Sequence, residues 1–172
     1  MRRGELLGLT WRAVEAQHAR VRVTRQLIPT KGGCTFGPPK SRRSERTIAL
    51  DAVTLAALEH HREVQLLERD LAGPAYEDGD LVFCDELGRH IHPANLTAAF
   101  KRRRRAAGIP TGSLHILRHT AATLALTATP PVPLHVVAGR LGDDPKTVLD
   151  TYAHVLSTSD EAAADVIAEA LT

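Results

Sequence analysis

Arg2, Lys40, His115, Arg118 and Tyr152 are the side chains in this sequence whose types suit the breaking and re-forming of a phosphodiester. Attack on a phosphodiester builds negative charge on the non-bridging oxygens, which two guanidiniums can clamp through paired hydrogen bonds. Arg2 and Arg118 are the candidates for that clamp. A hydroxyl nucleophile must lose its proton, and His115 is suited to accept one near neutral pH. The departing sugar oxygen must gain a proton, which Lys40 can give. Tyr152 as nucleophile would store the bond energy in a protein–DNA ester, so strands could be rejoined without ATP. Because the arginines supply the positive charge, this chemistry calls for neither metal nor other cofactor.

Taken singly, each residue has a plain structural explanation. Surface arginines and lysines are usually solvated, a lone helical histidine is usually structural, and a tyrosine usually belongs to a core or its rim. The HxxR spacing is met by chance in many helices. Local context adds weight: Glu5 follows Arg2 by one helical turn in RRGELLGL, and HILR puts His115 and Arg118 at i and i+3 on one face. Lys40 stands on a turn before a strand in PPKSRRSERTI, and Tyr152 lies in DTYAHV near a helix end. Specificity resides in the ordered combination.

The elements that must position these groups are mostly helical. The chain opens on a helical pattern with no preceding cap, so upstream sequence is expected. Residues 19–28 alternate apolar and polar as one half-buried strand should, KGGCTFGPPK supplies turn residues, and ERTIAL resumes strand character. A small antiparallel sheet is therefore predicted near residues 12–49. Asp51 N-caps a helix to about Leu71, with Leu55, Leu58, Leu66 and Leu67 on its apolar side. LVF at 81–83 reads as a short strand. Further helices are predicted from Pro93 to near Gly108, from Ser113 to Leu126, from Pro133 to Leu141 with Gly142 as terminator, and from the Asp144–Pro145 start. A last amphipathic helix over 158–171 carries Val166, Ile167, Ala170 and Leu171 on one side.

The 172 residues suit one domain with a real core, and the 3% aromatic content favours aliphatic helix packing. Net charge is only +2, so the distribution of charge matters more than its sum. KSRRSER at 40–46 and KRRRR at 101–105 are dense basic clusters, which point to a polyanion partner over an ordinary solvated face. Cys34 and Cys84 lack metal-ligand spacing and suit reduced thiols. Cys84, His90 and His92 have no fourth ligand at zinc spacing and read as loop residues. No signal peptide or bilayer-length apolar run is found, so a soluble, cytoplasmic, nucleoid-associated protein is expected.

Four ordered segments resemble the tyrosine recombinase (phage integrase) family. RRGELLGLTW is similar to its first box, GPPKSRRSERTIAL to its lysine hairpin, HILRHTAATLAL to its second box, and VVAGRLGDDPKTVLDTYAHV to its third. The likeness covers nearly the whole chain. It implies an α+β catalytic domain spanning 1–172, mainly helical with a small antiparallel sheet and without the family's N-terminal core-binding domain. It also implies site-specific DNA cleavage and rejoining through a 3′-phosphotyrosyl intermediate, independent of metal and ATP. Arg2, Lys40, His115, Arg118 and Tyr152 take the catalytic positions. Double-stranded DNA is the implied partner, contacted by Arg42, Arg43, Lys101, Arg102, Arg103, Arg104 and Arg105. The C-terminal helix would either dock on a neighbouring subunit of a homo-tetramer or pack on its own domain.

Two positions depart from the family pattern. Asp143 stands where relatives carry a His or Trp that donates to the scissile phosphate, and an ionised aspartate cannot donate. Asp143 either sits in the site, repelling phosphate, or shares helix capping with Asp144 and faces away. Ile116 replaces the acid of HDLR, which would complete a capping box on Ser113. Together with the missing N-terminal domain, Asp143 leaves a truncated, weakly active or inactive DNA-binding remnant as the second functional reading. A helical transcription regulator, the third, leaves the order of the five catalytic-type residues unexplained.

Overall fold

The computed structural model describes residues 1–156 and 167–169, which fall into two compact units, Met1–Ile116 and Leu117–Thr172. In the first unit, a short helix α1 (Arg3–Leu7) precedes strands β1 (Val14–Glu15), β2 (Arg20–Val23), β3 (Gln26–Thr30), β4 (Gly33–Gly37) and β5 (Arg46–Ala49). Antiparallel pairing gives a three-stranded sheet ordered β1-β2-β5, with Val21 opposite Ile48, and a separate hairpin β3-β4, with Leu27 opposite Phe36. The run read as one strand over 19–28 is thus two, in different sheets. Val21, Val23 and Leu27 keep the buried alternation, but Arg25 occupies the intervening position and donates from Nε to the Gly8 carbonyl at 2.8 Å.

α1 lies close against β3 because Gly4 and Gly8 have no side chains. A Cβ at Gly4 would stand 2.8 Å from the Leu27 carbonyl oxygen, and one at Gly8 2.8 Å from the Gln26 Cα. Beneath the three-stranded sheet, Leu9, Ala13, Val21, Val23, Ile48 and Val82 form the core of this unit.

Helix α2 (Ala52–Ala72) begins as the sequence predicts, with the Asp51 carboxylate accepting the Thr54 N–H at 2.9 Å. Its buried face matches the predicted one only in part, since Leu58 packs on the core of this unit and Leu55 is half-buried. Leu66 and Leu67 are exposed, whereas Gln65 is buried and bonds the carbonyls of Leu81 and Val82 through Nε2 at 3.2 and 3.3 Å. His61 Nε2 meets the Val82 carbonyl at 2.7 Å, and Trp11 Nε1 donates to Gln65 Oε1 at 2.5 Å. Residues 81–83 are therefore not a strand of a sheet. Isolated bridges from Thr10 to Leu81 and from Cys84 to His90 flank a segment whose carbonyls are satisfied by α2 side chains. Helix α3 (Pro93–Ala106) has proline at its first turn and ends near Gly108, where φ is +72°.

In the second unit, α4 (Leu114–Leu126, whose first turn is counted with the first unit), α5 (Leu134–Leu141) and α6 (Pro145–Leu156) supply Ala122, Leu126, Val137, Ala138, Leu141, Val148 and Tyr152 to an aliphatic core. The α5 terminus is a Schellman motif. Gly142 is left-handed at φ +69°, its N–H bonds the Gly139 carbonyl at 3.1 Å, and the Asp143 N–H bonds the Ala138 carbonyl at 3.1 Å. Asp144 then caps α6, accepting the Lys146 N–H at 2.9 Å. Of the predicted C-terminal helix, Val166, Ala170 and Leu171 lie outside the described residues, and Ile167 is exposed.

Candidate active site

Within the first unit the site is built around Arg2. Arg2 is the N-cap of α1, and Glu5, in the first turn, is buried at 1% exposure. The Glu5 carboxylate accepts the Arg2 N–H at 2.7 Å and Arg2 Nη1 at 3.0 Å. It also accepts Arg46 Nη2 at 2.9 Å and Nη1 at 3.2 Å, a two-donor fork from the start of β5. Arg46 Nη1 further bonds the Ser44 carbonyl at 2.7 Å, while Arg2 Nη1 reaches Ser44 Oγ at 3.1 Å. Burial alone would raise the Glu5 pKa, but the bonds from Arg46 and Arg2 outweigh it and hold the carboxyl below its ordinary value. One buried carboxylate thus fixes the side chain that the sequence assigns to the phosphate clamp. The sequence reads Arg46 only as the end of the basic KSRRSER run and the start of a strand; the structure instead turns it inward onto Glu5.

Lys40 is exposed on the bend after β4, ahead of a 3-10 turn at Arg42–Ser44. Arg42 and Arg43 are exposed on that turn. On α3, Lys101, Arg102, Arg103 and Arg105 are exposed. Arg104 instead folds back, donating from Nη1 to the Ile109 carbonyl at 3.0 Å across the helix end. Five consecutive helical residues encircle the axis, so the KRRRR run cannot present one face. Cys84 Sγ, considered above as a zinc ligand, lies 2.8 Å from Gln65 Nε2, and the His92 ring accepts the Ala94 N–H at 3.2 Å.

His115 lies, exposed, on the first turn of α4. In the second unit the side chain of Arg118 is 5% exposed, and its Nη2 donates to Asp143 Oδ2 at 2.5 Å. Arg118 Nη1 is buried and has no hydrogen-bond partner among the described residues. Asp143 is thus turned onto Arg118. Asp144 does the capping, and the Schellman turn at Gly142 delivers Asp143 to the arginine.

Tyr152, on α6, is 6% exposed within the aliphatic core, with its hydroxyl 2.8 Å from His119 Nδ1. The two rings are tilted by 53°, with centroids 5.8 Å apart. Burial raises the Tyr152 pKa; the positive charge of Arg118 pulls it down and the negative charge of Asp143 pushes it up. Sequence reasoning missed His119. The available signal was its place in HILRHT, one residue past Arg118 and one turn past His115.

The arrangement holds one guanidinium against a buried carboxylate in the first unit. In the second it holds another, with an unused donor, and a tyrosine hydroxyl under the influence of both Arg118 and Asp143. Residues 1–158 match the phage integrase family, and the chain belongs to that family. It is 33% identical over 170 residues to a XerC-like tyrosine recombinase from Caldanaerobacter subterraneus subsp. tengcongensis, covering 91% of this chain and 43% of that protein. The chain thus spans under half the length of that relative. The Tn1549 transposon integrase bound to transposon right end DNA superposes with a TM-score of 0.76 at 20% identity, covering 98% of this chain and 55% of that one. The XerH site-specific recombinase, in its post-cleavage complex with palindromic difH, gives a TM-score of 0.61 at 25% identity, over 92% of this chain and 40% of that one. The fold is that of the tyrosine recombinase catalytic domain, mainly helical with small antiparallel sheets.

Proposed function

We propose that residues 1–172 act as one catalytic domain that cleaves and rejoins double-stranded DNA through a 3′-phosphotyrosyl intermediate on Tyr152. The observation that carries this reading is that Tyr152 presents its hydroxyl to a histidine within the field of Arg118, a buried arginine with a donor to spare. Arg2 and Arg118 each supply donors to the non-bridging oxygens, and His115 precedes Arg118 by three residues on α4. Lys40 protonates the departing 5′ oxygen. Arg42, Arg43 and the exposed members of the α3 run contact backbone phosphates, contributing affinity and not sequence choice. Among the described residues no helix is long and apolar enough to cross a membrane, and we place the protein in the cytoplasm on the nucleoid. Assembly on DNA is proposed to be tetrameric, through the C-terminal segment.

The test is incubation with a pool of nicked duplexes, followed by denaturing electrophoresis. A covalent protein–DNA adduct from the wild type and none from Tyr152→Phe is expected. Absence of the adduct in the wild type would sink the reading.

The Arg118–Asp143 pair favours a second reading, a DNA-binding domain with little or no cleavage activity. An anion already sits on the clamp. This reading predicts salt-dependent DNA binding without adduct, and adduct formation once Asp143 is replaced by histidine.

A further inference from the structure

We propose that His119 is the proton acceptor for Tyr152, its Nδ1 taking the phenolic hydrogen as Oη attacks phosphorus. This inference rests on the cleavage reading above and deepens it.

Residue type and spacing assign the proton-accepting role to His115, yet the Tyr152 hydroxyl bonds His119, at 2.8 Å. That is within the reach required of a general base. The contact is fixed from both sides. His119 follows the buried Arg118 on α4, and Tyr152 is anchored among Val137, Ala138, Leu141 and Val148 on α5 and α6. The charged groups acting on the hydroxyl are Arg118, on α4, and Asp143, in the turn before α6. Burial disfavours a free phenolate, so the proton has to leave in concert with attack.

In this step the Tyr152 Oη–H bond breaks and its proton passes to His119 Nδ1. The Oη–P bond forms as the P–O5′ bond breaks, and the O5′ electron pair takes a proton from Lys40. Rejoining runs the same transfers backwards, so both residues return to their starting protonation states.

The competing explanation is a structural hydrogen bond that merely satisfies a buried hydroxyl. Asparagine separates the two, because its side-chain oxygen can accept the hydroxyl hydrogen in place of Nδ1 but cannot take the proton away. Wild type and His119→Asn are compared for adduct formation on randomised nicked duplexes across a pH series, with thermal melts to show that both are folded. A fall of roughly 10²–10⁴-fold in rate is expected for His119→Asn. So is loss of the limb along which wild-type cleavage rises with pH, since only a neutral imidazole accepts a proton. Duplexes with a bridging 5′ sulfur, whose leaving group needs no proton, should restore Lys40→Ala and leave His119→Asn slow. His119→Asn cleaving at the wild-type rate with the same pH profile would overturn the inference and leave the cleavage reading standing. A wild type that forms no adduct would overturn both.

Discussion

Arg118 Nη2 and Asp143 Oδ2 stand 2.5 Å apart, a charge-assisted hydrogen bond between a buried guanidinium and a carboxylate that is 25% exposed. The pair turns a family departure into a physical statement. A DNA phosphate approaching Arg118 meets a guanidinium whose charge is already neutralised, and it must share the donors or displace the carboxylate. Nη1, buried and without a partner among the described residues, is the donor left for sharing.

Replacing Asp143 should therefore activate the protein. Asp143→His restores a donor at the position and removes the competing anion. Cleavage is expected to rise at least tenfold, and at most by the ~10²–10³ that one transition-state donor is worth. Asp143→Ala, which removes the anion without bringing a donor, should tighten DNA binding but raise the rate less. Single-turnover cleavage and DNA titrations check both; an unchanged rate in Asp143→His would show that the pair does not compete with phosphate.

The buried Glu5 should govern stability and the pose of Arg2 together. Glu5→Ala leaves Arg46, whose side chain is 6% exposed, without its counter-charge. Removing one partner of a buried pair costs about 3–5 kcal/mol, and urea unfolding should show a loss of that order.

Acid titration checks the same residue. The folded Glu5 pKa lies below the ordinary value of 4.5, so its contribution is complete above that pH and is lost as pH falls through the lowered folded value. The wild-type stability curve should fall in that window. Glu5→Gln should be less stable at neutral pH and flatter below it. A parallel fall in both would contradict the assignment.

The basic run on α3 should divide by role. Lys101→Ala, Arg102→Ala and Arg105→Ala together should reduce the slope of log K against log salt by about 0.9 for each phosphate that the protein ceases to neutralise. Arg104→Ala should leave the slope alone and cost about 1 kcal/mol of stability, because its bond to the Ile109 carbonyl ties the helix end. Salt-titrated binding and denaturant melts separate the two.

Local rules were legible in the sequence. The Gly142 terminator, the Asp144–Pro145 start, the Asp51 cap and the Arg2–Glu5 spacing each depend on neighbours a few residues apart, and each stands in the structure. What escaped depends on distant partners. Arg46 meets Glu5 across 41 residues, and no local pattern announces it. The partly misread face of α2 and the misread strand at 81–83 share one cause. Gln65 and His61 turn inward to satisfy the carbonyls of Leu81 and Val82, so polar side chains share the buried face with Leu58, and backbone pairing of 81–83 stops at the isolated bridge from Leu81 to Thr10. Asp143 was legible as a departure, but which way it faces depended on the Schellman turn placing it on Arg118.

Whether Tyr152 is the nucleophile can be read from peptide mapping by mass spectrometry of the protein–DNA adduct formed on nicked duplexes. The wild type and the more active Asp143→His are mapped side by side. A nucleotide remnant is predicted on the peptide containing Tyr152, with no adduct when Tyr152→Phe is added. An adduct on any other residue, or one that persists in Tyr152→Phe, would contradict the assignment.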